Sequence, residues 1–188
     1  LTGDTARLSI DLAQWSAAMI PEMLRVGAAA ICFLSGATLA GFVIHHPNLD
    51  VSRPYGRTVT SIGILLLLSY FLLGRWPIAS IALAAFGCGL QNALASHYRG
   101  IVLRTTHVTG LFTDFGVTLG MRLRGHAIPL WKIGVPFYLI VAFFLGGLSA
   151  ALVHHAGINP IALAGIAYVA AGLAWTTWKH SRRGGQPF

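Results

Sequence analysis

Five long apolar runs, Val26–Ile44, Thr58–Gly74, Pro77–Ser96, Ile133–Val153 and Pro160–Trp178, alternate with short polar stretches along the chain. Each holds about 17–21 residues and no Asp, Glu, Lys or Arg. A helix of that length crosses roughly 30 Å of hydrocarbon. The runs lack strand alternation, and only helices or closed barrels satisfy their backbone in lipid, so each predicts a membrane-spanning helix. Small residues crowd the runs at Gly36 and Ala40, at Gly147 and Ala151, and at Gly87 and Gly89. They predict close helix–helix packing. Two further segments, 3–13 and 110–120, are amphipathic but too short to span, which predicts re-entrant or interfacial segments.

The pattern repeats. "LTGDTARLSIDLA" at 1–13 lies on "VTGLFTDFGVTLG" at 108–120: Thr2 meets Thr109, Gly3 meets Gly110 and Leu12 meets Leu119. "LAGFVIHH" at 39–46 lies on "LSAALVHH" at 148–155, at a spacing larger by two. The first repeat covers 1–76: a polar elbow with its short segment in 1–21, then the spans 26–44 and 58–74. The second covers 77–188: the span 77–96, the elbow and short helix 104–120, the spans 133–153 and 160–178, and a basic tail 179–188. The second copy opens with a span, so a sixth helix is expected before Leu1. A unit of three crossings inserts upside down relative to its twin. The expected architecture is therefore an all-α polytopic bundle of two inverted three-helix repeats, a plan common among secondary transporters.

Composition changes the picture in one respect. The 188 residues are 55% hydrophobic and 10% charged, with 13 Lys and Arg against 5 Asp and Glu. Soluble domains carry roughly 25% charged residues. The basic residues punctuate apolar runs and form no stripe, so they set membrane orientation and do not point to nucleic acid. Arg53, Arg57, Arg99, Arg104, Arg122, Arg124, Lys132, Lys179, Arg182 and Arg183 fall on one side, and Arg7, Arg25 and Arg75 on the other. Ten against three places the first side, with the C-terminus, in the cytoplasm. Cys32 and Cys88 each lie inside an apolar run, which argues against a disulfide framework and a Cys-based metal site.

"GLQNALASHYRGIVLRTTHVTGLFTDFGVTLG" at 89–120 resembles the second-half signature of the YoaK-like family of bacterial inner-membrane proteins. "LTGDTARLSIDLA" resembles that family's first-half element. The resemblance implies a six-helix fold in the bacterial inner membrane, begun by a further helix bearing a "GYxDA"-like element that is not in this chain. It implies no particular activity.

The candidate chemistry sits in the polar interruptions. Gln91 and Asn92 fall inside a span, where unpaired amides are costly. They are either interhelical glue or the lining of a polar cavity. Thr109 is placed to cap a short helix from Gly110 to about Gly120, with Thr105, Thr106, His107 and Arg104 just upstream. A helix start of this kind offers free N–H groups to an anion. Thr2 takes the capping role in the first copy, with Asp4 and Thr5 beside it. Asp114 aligns with Arg7, and a pseudo-two-fold axis pairs them if both short segments dip toward the midplane; Arg104 and His107 are its other candidate partners. The pairs His45–His46 and His154–His155 fall on opposite faces under inverted topology and so predict no shared metal or haem. No H-E-x-x-H, G-x-S-x-G or P-loop is present, and nothing spaces Ser, His and Asp for catalysis.

The sequence is therefore read as a non-enzymatic small secondary transporter or permease-like protein, without cofactor or metal, for a small polar or anionic solute. Its expected lining is Gln91, Asn92, Thr105, Thr106, His107, Thr109 and Asp114, with Thr2, Asp4 and Arg7 from the other repeat. The alternative is a non-catalytic accessory or scaffold subunit of a larger membrane complex. Its expected partners are the lipid bilayer, an unknown solute and a second copy or a larger complex.

Overall fold

The computed structural model describes residues 2–14, 19–43, 55–94, 97–98, 101–102 and 106–183. Among them the chain forms seven helices: α1 (Thr2–Ala13), α2 (Ile20–Val43), α3 (Gly56–Leu72), α4 (Pro77–Leu94), α5 (Val108–Leu123), α6 (Leu130–His155) and α7 (Pro160–Arg183). A two-residue antiparallel pair, β1 (His97–Tyr98) with β2 (Ile101–Val102), separates α4 from α5.

Each long apolar run is a helix. α2, α4, α6 and α7 are long and apolar enough to cross a membrane, and α3 is an apolar helix of 17 residues. At 1.5 Å per residue α3 spans about 25 Å, a little under the hydrocarbon thickness. Large apolar side chains stand exposed along these helices, among them Leu34, Phe42, Phe71, Phe144 and Ile166. Water does not tolerate such a surface, whereas acyl chains solvate it. The molecule is a polytopic helical membrane protein.

Packing groups the described chain into two compact units, Leu1–Leu94 with Ile161–Phe188, and Ala95–Pro160.

In the first unit, α3 and α4 form a tight antiparallel hairpin. The turn closes through Arg75 N–H to Leu72 O (3.1 Å) and Trp76 N–H to Leu72 O (2.8 Å), and Pro77 opens α4 where its missing N–H costs nothing. Behind the turn, Ser69 and Ser80 are both buried and bond reciprocally. Ser69 Oγ donates to Ser80 O (2.8 Å), Ser80 Oγ donates to Ser69 O (2.8 Å), and the two hydroxyls lie 3.0 Å apart. Two turns deeper, Gly87 faces Ile62 and Leu65. Ala40, Ile62, Leu90 and Leu94 form the buried core, with Tyr55, Leu66, Phe86 and Tyr168 packed on it.

Glycines set the closest approaches. Gly36 of α2 lies against the backbone of Phe86 and Leu90, and Gly89 of α4 lies against the backbone of Phe33 and Ala37. α3 and α7 touch at two levels. A methyl group on Gly63 would stand 2.6 Å from Val169 N and 2.7 Å from Gly165 O; one on Gly172 would stand 2.6 Å from Thr60 N and 2.7 Å from Gly56 O. Contacts that rise along α3 thus fall along α7, so the two helices are antiparallel. Gly147 differs: nothing lies within 4 Å of where its side chain would be, so the expected packing at that position is not seen among the described residues.

In the second unit, α5 packs on α6, with the rings of Phe115 and Phe137 5.7 Å apart. Pro136 lies inside α6 and is fully buried. It removes one intrahelical hydrogen bond at that turn.

Candidate functional site

The polar groups of the first unit gather beside its core. The Gln91 side chain lies beside the Tyr168 hydroxyl, where α4 approaches α7. Asn92 Nδ2 donates to Cys88 O at 3.2 Å, one turn back along its own helix. The polar neighbour of Gln91 is Tyr168. Tyr168 also packs on the Ala40, Ile62, Leu90 and Leu94 cluster. Nothing in the local sequence around Tyr168 marks it, because the contact depends on the register of α7.

Two polar atoms are buried without a hydrogen-bond partner among the described residues: the Tyr55 hydroxyl and the Trp175 indole N–H. Both belong to the first unit. Tyr55 precedes α3 and packs on the same core cluster. Trp175 falls at the α7 level that meets the start of α3, because Gly56 faces Gly172 and Thr176. Buried polar groups are nearly always paired, so each orphan marks a place where water or solute has a hydrogen bond to gain.

Along α1, Asp4 and Arg7 are exposed, and the Thr2 side chain lies outside the described residues. Thr2 lies within α1 as its first described residue. The helix adds a residue that the motif comparison passed over: Asp11, 7% exposed. Its spacing from Arg7 places both on one face of α1. A shielded carboxylate on a membrane-associated segment is usually functional. Aligned residue by residue, Asp11 falls on Thr118, so the repeat gave no signal for it.

In the second unit, the elbow differs from its expected form. α5 starts at Val108, with His107 at its N-cap, so Thr109 lies within the first turn and does not cap. The reason is local. The His107 carbonyl accepts Leu111 N–H at 3.2 Å, and its imidazole folds over Gly110, with Nδ1 2.6 Å from where a methyl group would sit. Only glycine leaves room for that ring. His107 makes no side-chain capping bond. The helix is also longer than expected, 16 residues ending at Leu123.

The hydroxyls of α5 are turned inward to their own helix. Thr113 Oγ1 donates to Thr109 O (3.1 Å) and Thr118 Oγ1 to Asp114 O (2.6 Å). Thr106, His107, Thr109 and Asp114 are exposed. Thr105, Arg104 and the pair His45–His46 lie outside the described residues; His154 and His155 are exposed at the end of α6. Among the described residues no three His, Cys, Asp or Glu side chains converge on one point.

This is the geometry of a helical membrane protein with polar groups held at helix interruptions. A family model described as "Protein of unknown function (DUF1275)" matches residues 1–175. The chain belongs to that family. No curated protein and no solved structure matches it.

Proposed function

We propose that the chain is a small secondary transporter or permease-like protein built of two inverted three-helix repeats, carrying a small polar or anionic solute without covalent chemistry. The observation that carries this reading is the reciprocal glycine contact between α3 and α7. The spacing of 109 that sets Leu39 on Leu148 also sets Gly56 on Gly165 and Gly63 on Gly172. Gly56 meets Gly172, and Gly63 meets Gly165. Each glycine therefore touches the repeat mate of the other, as a two-fold axis between antiparallel helices requires. Transporters of inverted repeats bind their solutes at such an interface.

Parity supports the same plan. The Ser69–Ser80 and Ile62–Gly87 contacts make α4 antiparallel to α3, and the glycine contacts make α7 antiparallel to α3. α4 and α7 thus run in one sense, so an odd number of crossings separates them. α6 supplies that crossing by its length and composition. α5 then stays at one side of the bilayer as a re-entrant or interfacial segment. The distribution of basic residues supports a cytoplasmic location for that side and the C-terminus, and the YoaK-like resemblance supports the bacterial inner membrane.

The solute contacts we assign are Gln91, Asn92 and Tyr168, the orphaned Tyr55 and Trp175, and Asp4, Arg7 and the shielded Asp11. Thr2 belongs to the elbow of the first unit, and Thr105, Thr106, His107, Thr109 and Asp114 to that of the second. One observation favours the accessory-subunit reading: Gly146 and Gly147 of α6 have nothing within 4 Å, and Phe143 and Phe144 beside them are exposed, a surface that also suits a partner helix. The deciding experiment is a thermal-stability screen of the purified full-length protein against small polar and anionic solutes, followed by uptake of any stabilising solute into proteoliposomes. Saturable uptake lost in Gln91→Leu supports transport. No stabilising solute, together with a stoichiometric membrane partner on purification, supports the accessory subunit.

A further inference from the structure

We propose that the loop joining α5 to α6 is a binding site for an anionic phospholipid, with the phosphate on its basic side chains and an acyl chain on the adjoining face of α6. This inference is independent of the transport reading.

The loop is held in one shape. Gly125 takes a positive φ of 95°, and its N–H bonds to Arg122 O (3.0 Å) while His126 N–H bonds to Met121 O (3.1 Å), so the carbonyls at the end of α5 are satisfied. Arg122 Nη1 then reaches across the loop to Ile128 O at 2.6 Å. That bond uses one of five guanidinium N–H donors and leaves the others outward. Arg122, Arg124, His126 and Lys132 are all exposed on this short frame.

No counter-charge comes with them. The chain contains no Asp or Glu after Asp114. Three permanent cations and a histidine within 11 residues thus lack any acid in the 74 residues that follow Asp114. Orientation alone requires basic residues somewhere in a cytoplasmic loop. It does not require a hydrogen-bonded frame that fixes them.

The apolar surroundings select a lipid over a soluble anion. Leu123, 80% exposed, and Leu130, 69% exposed, flank the cations. Lys132 Nζ stands 5.8 Å from the centre of the Trp131 ring, a cation on the face of an interfacial aromatic. Immediately beyond, Leu130, Trp131, Ile133, Gly134, Val135 and Tyr138 line a concavity of about 480 Å³. The Tyr138 ring edge lies 3.5 Å from where a side chain on Gly134 would begin, so the glycine leaves the ring its place beside the helix. Charge and greasy surface thus adjoin in the order in which a phospholipid presents phosphate and acyl chain.

The test uses full-length protein stripped of lipid in a neutral detergent. Thermal unfolding is followed with added phosphatidylglycerol, phosphatidylcholine or inorganic phosphate, and bound lipid is counted by native mass spectrometry. Phosphatidylglycerol is expected to raise the midpoint by about 4 °C or more, with phosphatidylcholine and phosphate giving a small fraction of that. The R124Q/K132Q double variant, unchanged in midpoint without lipid, is expected to lose most of the shift and its retained phosphatidylglycerol. A W131A variant, which keeps every charge, is expected to lose part. Equal shifts with phosphatidylcholine, a full shift with inorganic phosphate, or an undiminished shift in the double variant would each overturn the proposal.

Discussion

Gly63 and Gly165 meet backbone to backbone, so closely that a methyl group on Gly63 would stand 2.7 Å from the carbonyl oxygen of Gly165. The side chains of Val169 and Leu67 close around the pair, with Val169 Cγ2 2.8 Å from the same position on Gly63 and Leu67 Cγ 2.8 Å from the corresponding position on Gly165. The contact is dispersion and carbonyl packing, the means by which helices associate where lipid supplies no hydrophobic driving force.

Gly63→Ala is therefore expected to destabilise the protein by about 1–3 kcal/mol, since the helices must part to admit the methyl group. Gly41→Ala in α2 is the control, because nothing lies within 4 Å of that position. It should stay within about 0.5 kcal/mol of the parent. Unfolding in detergent by heat or by a denaturing detergent measures both.

Ser69→Ala and Ser80→Ala remove the two halves of the buried serine pair. Each is expected to cost about 0.5–2 kcal/mol. Because the two hydroxyls also lie 3.0 Å from each other, each single variant already removes their mutual contact, and the double variant should fall short of the sum of the singles. A double-mutant cycle in detergent reads the coupling. Strict additivity would mean that the hydroxyls act separately.

Single cysteines placed at Arg124 and at Lys179 in a cysteine-free background are expected to react with an impermeant maleimide only from the cytoplasmic side. Cysteines at Arg75 and at Asn159 should react only from the opposite side. Labelling of intact cells against inverted vesicles decides this. If positions 75 and 124 share a side, α5 crosses the bilayer and the inverted plan fails.

Tyr168→Phe deletes one hydroxyl and leaves the packing on Ala40, Ile62, Leu90 and Leu94 in place. It is expected to shift stability by less than about 1.5 kcal/mol. Uptake of any solute found by stability screening should fall at least about tenfold, the effect of roughly 1.4 kcal/mol on a rate. Asp11→Asn is expected to spare the fold and lower uptake similarly. Full uptake in both variants would remove these residues from the solute path.

The spans were legible because an uncharged run of the right length has few other destinies in a polytopic chain. Thr58–Gly74, for example, contains no charged residue and a run of four leucines, Leu65 to Leu68. The start of α5 was misread because Thr109 followed by Gly110 looks like a cap, and pattern alone does not show the His107 ring occupying the space above Gly110. The hydroxyls of Thr113 and Thr118 are bonded to carbonyls of their own helix, which no residue pattern announces. Gln91 was recognisable as a residue needing a partner. Tyr168 was not recognisable as its polar neighbour, since 77 residues separate them in sequence and only the fold brings α7 against α4.

The serine pair also bears on how the protein is made. Ser69 and Ser80 satisfy one another only when α3 and α4 are side by side, and only a four-residue turn separates those helices. α3 alone is short and would carry its buried hydroxyl into lipid with no partner outside its own helix. α3 and α4 are therefore expected to be most stable in the bilayer as one hairpin, so that a nascent chain halted before Ser80 emerges from the ribosome should leave α3 less firmly inserted than the completed pair.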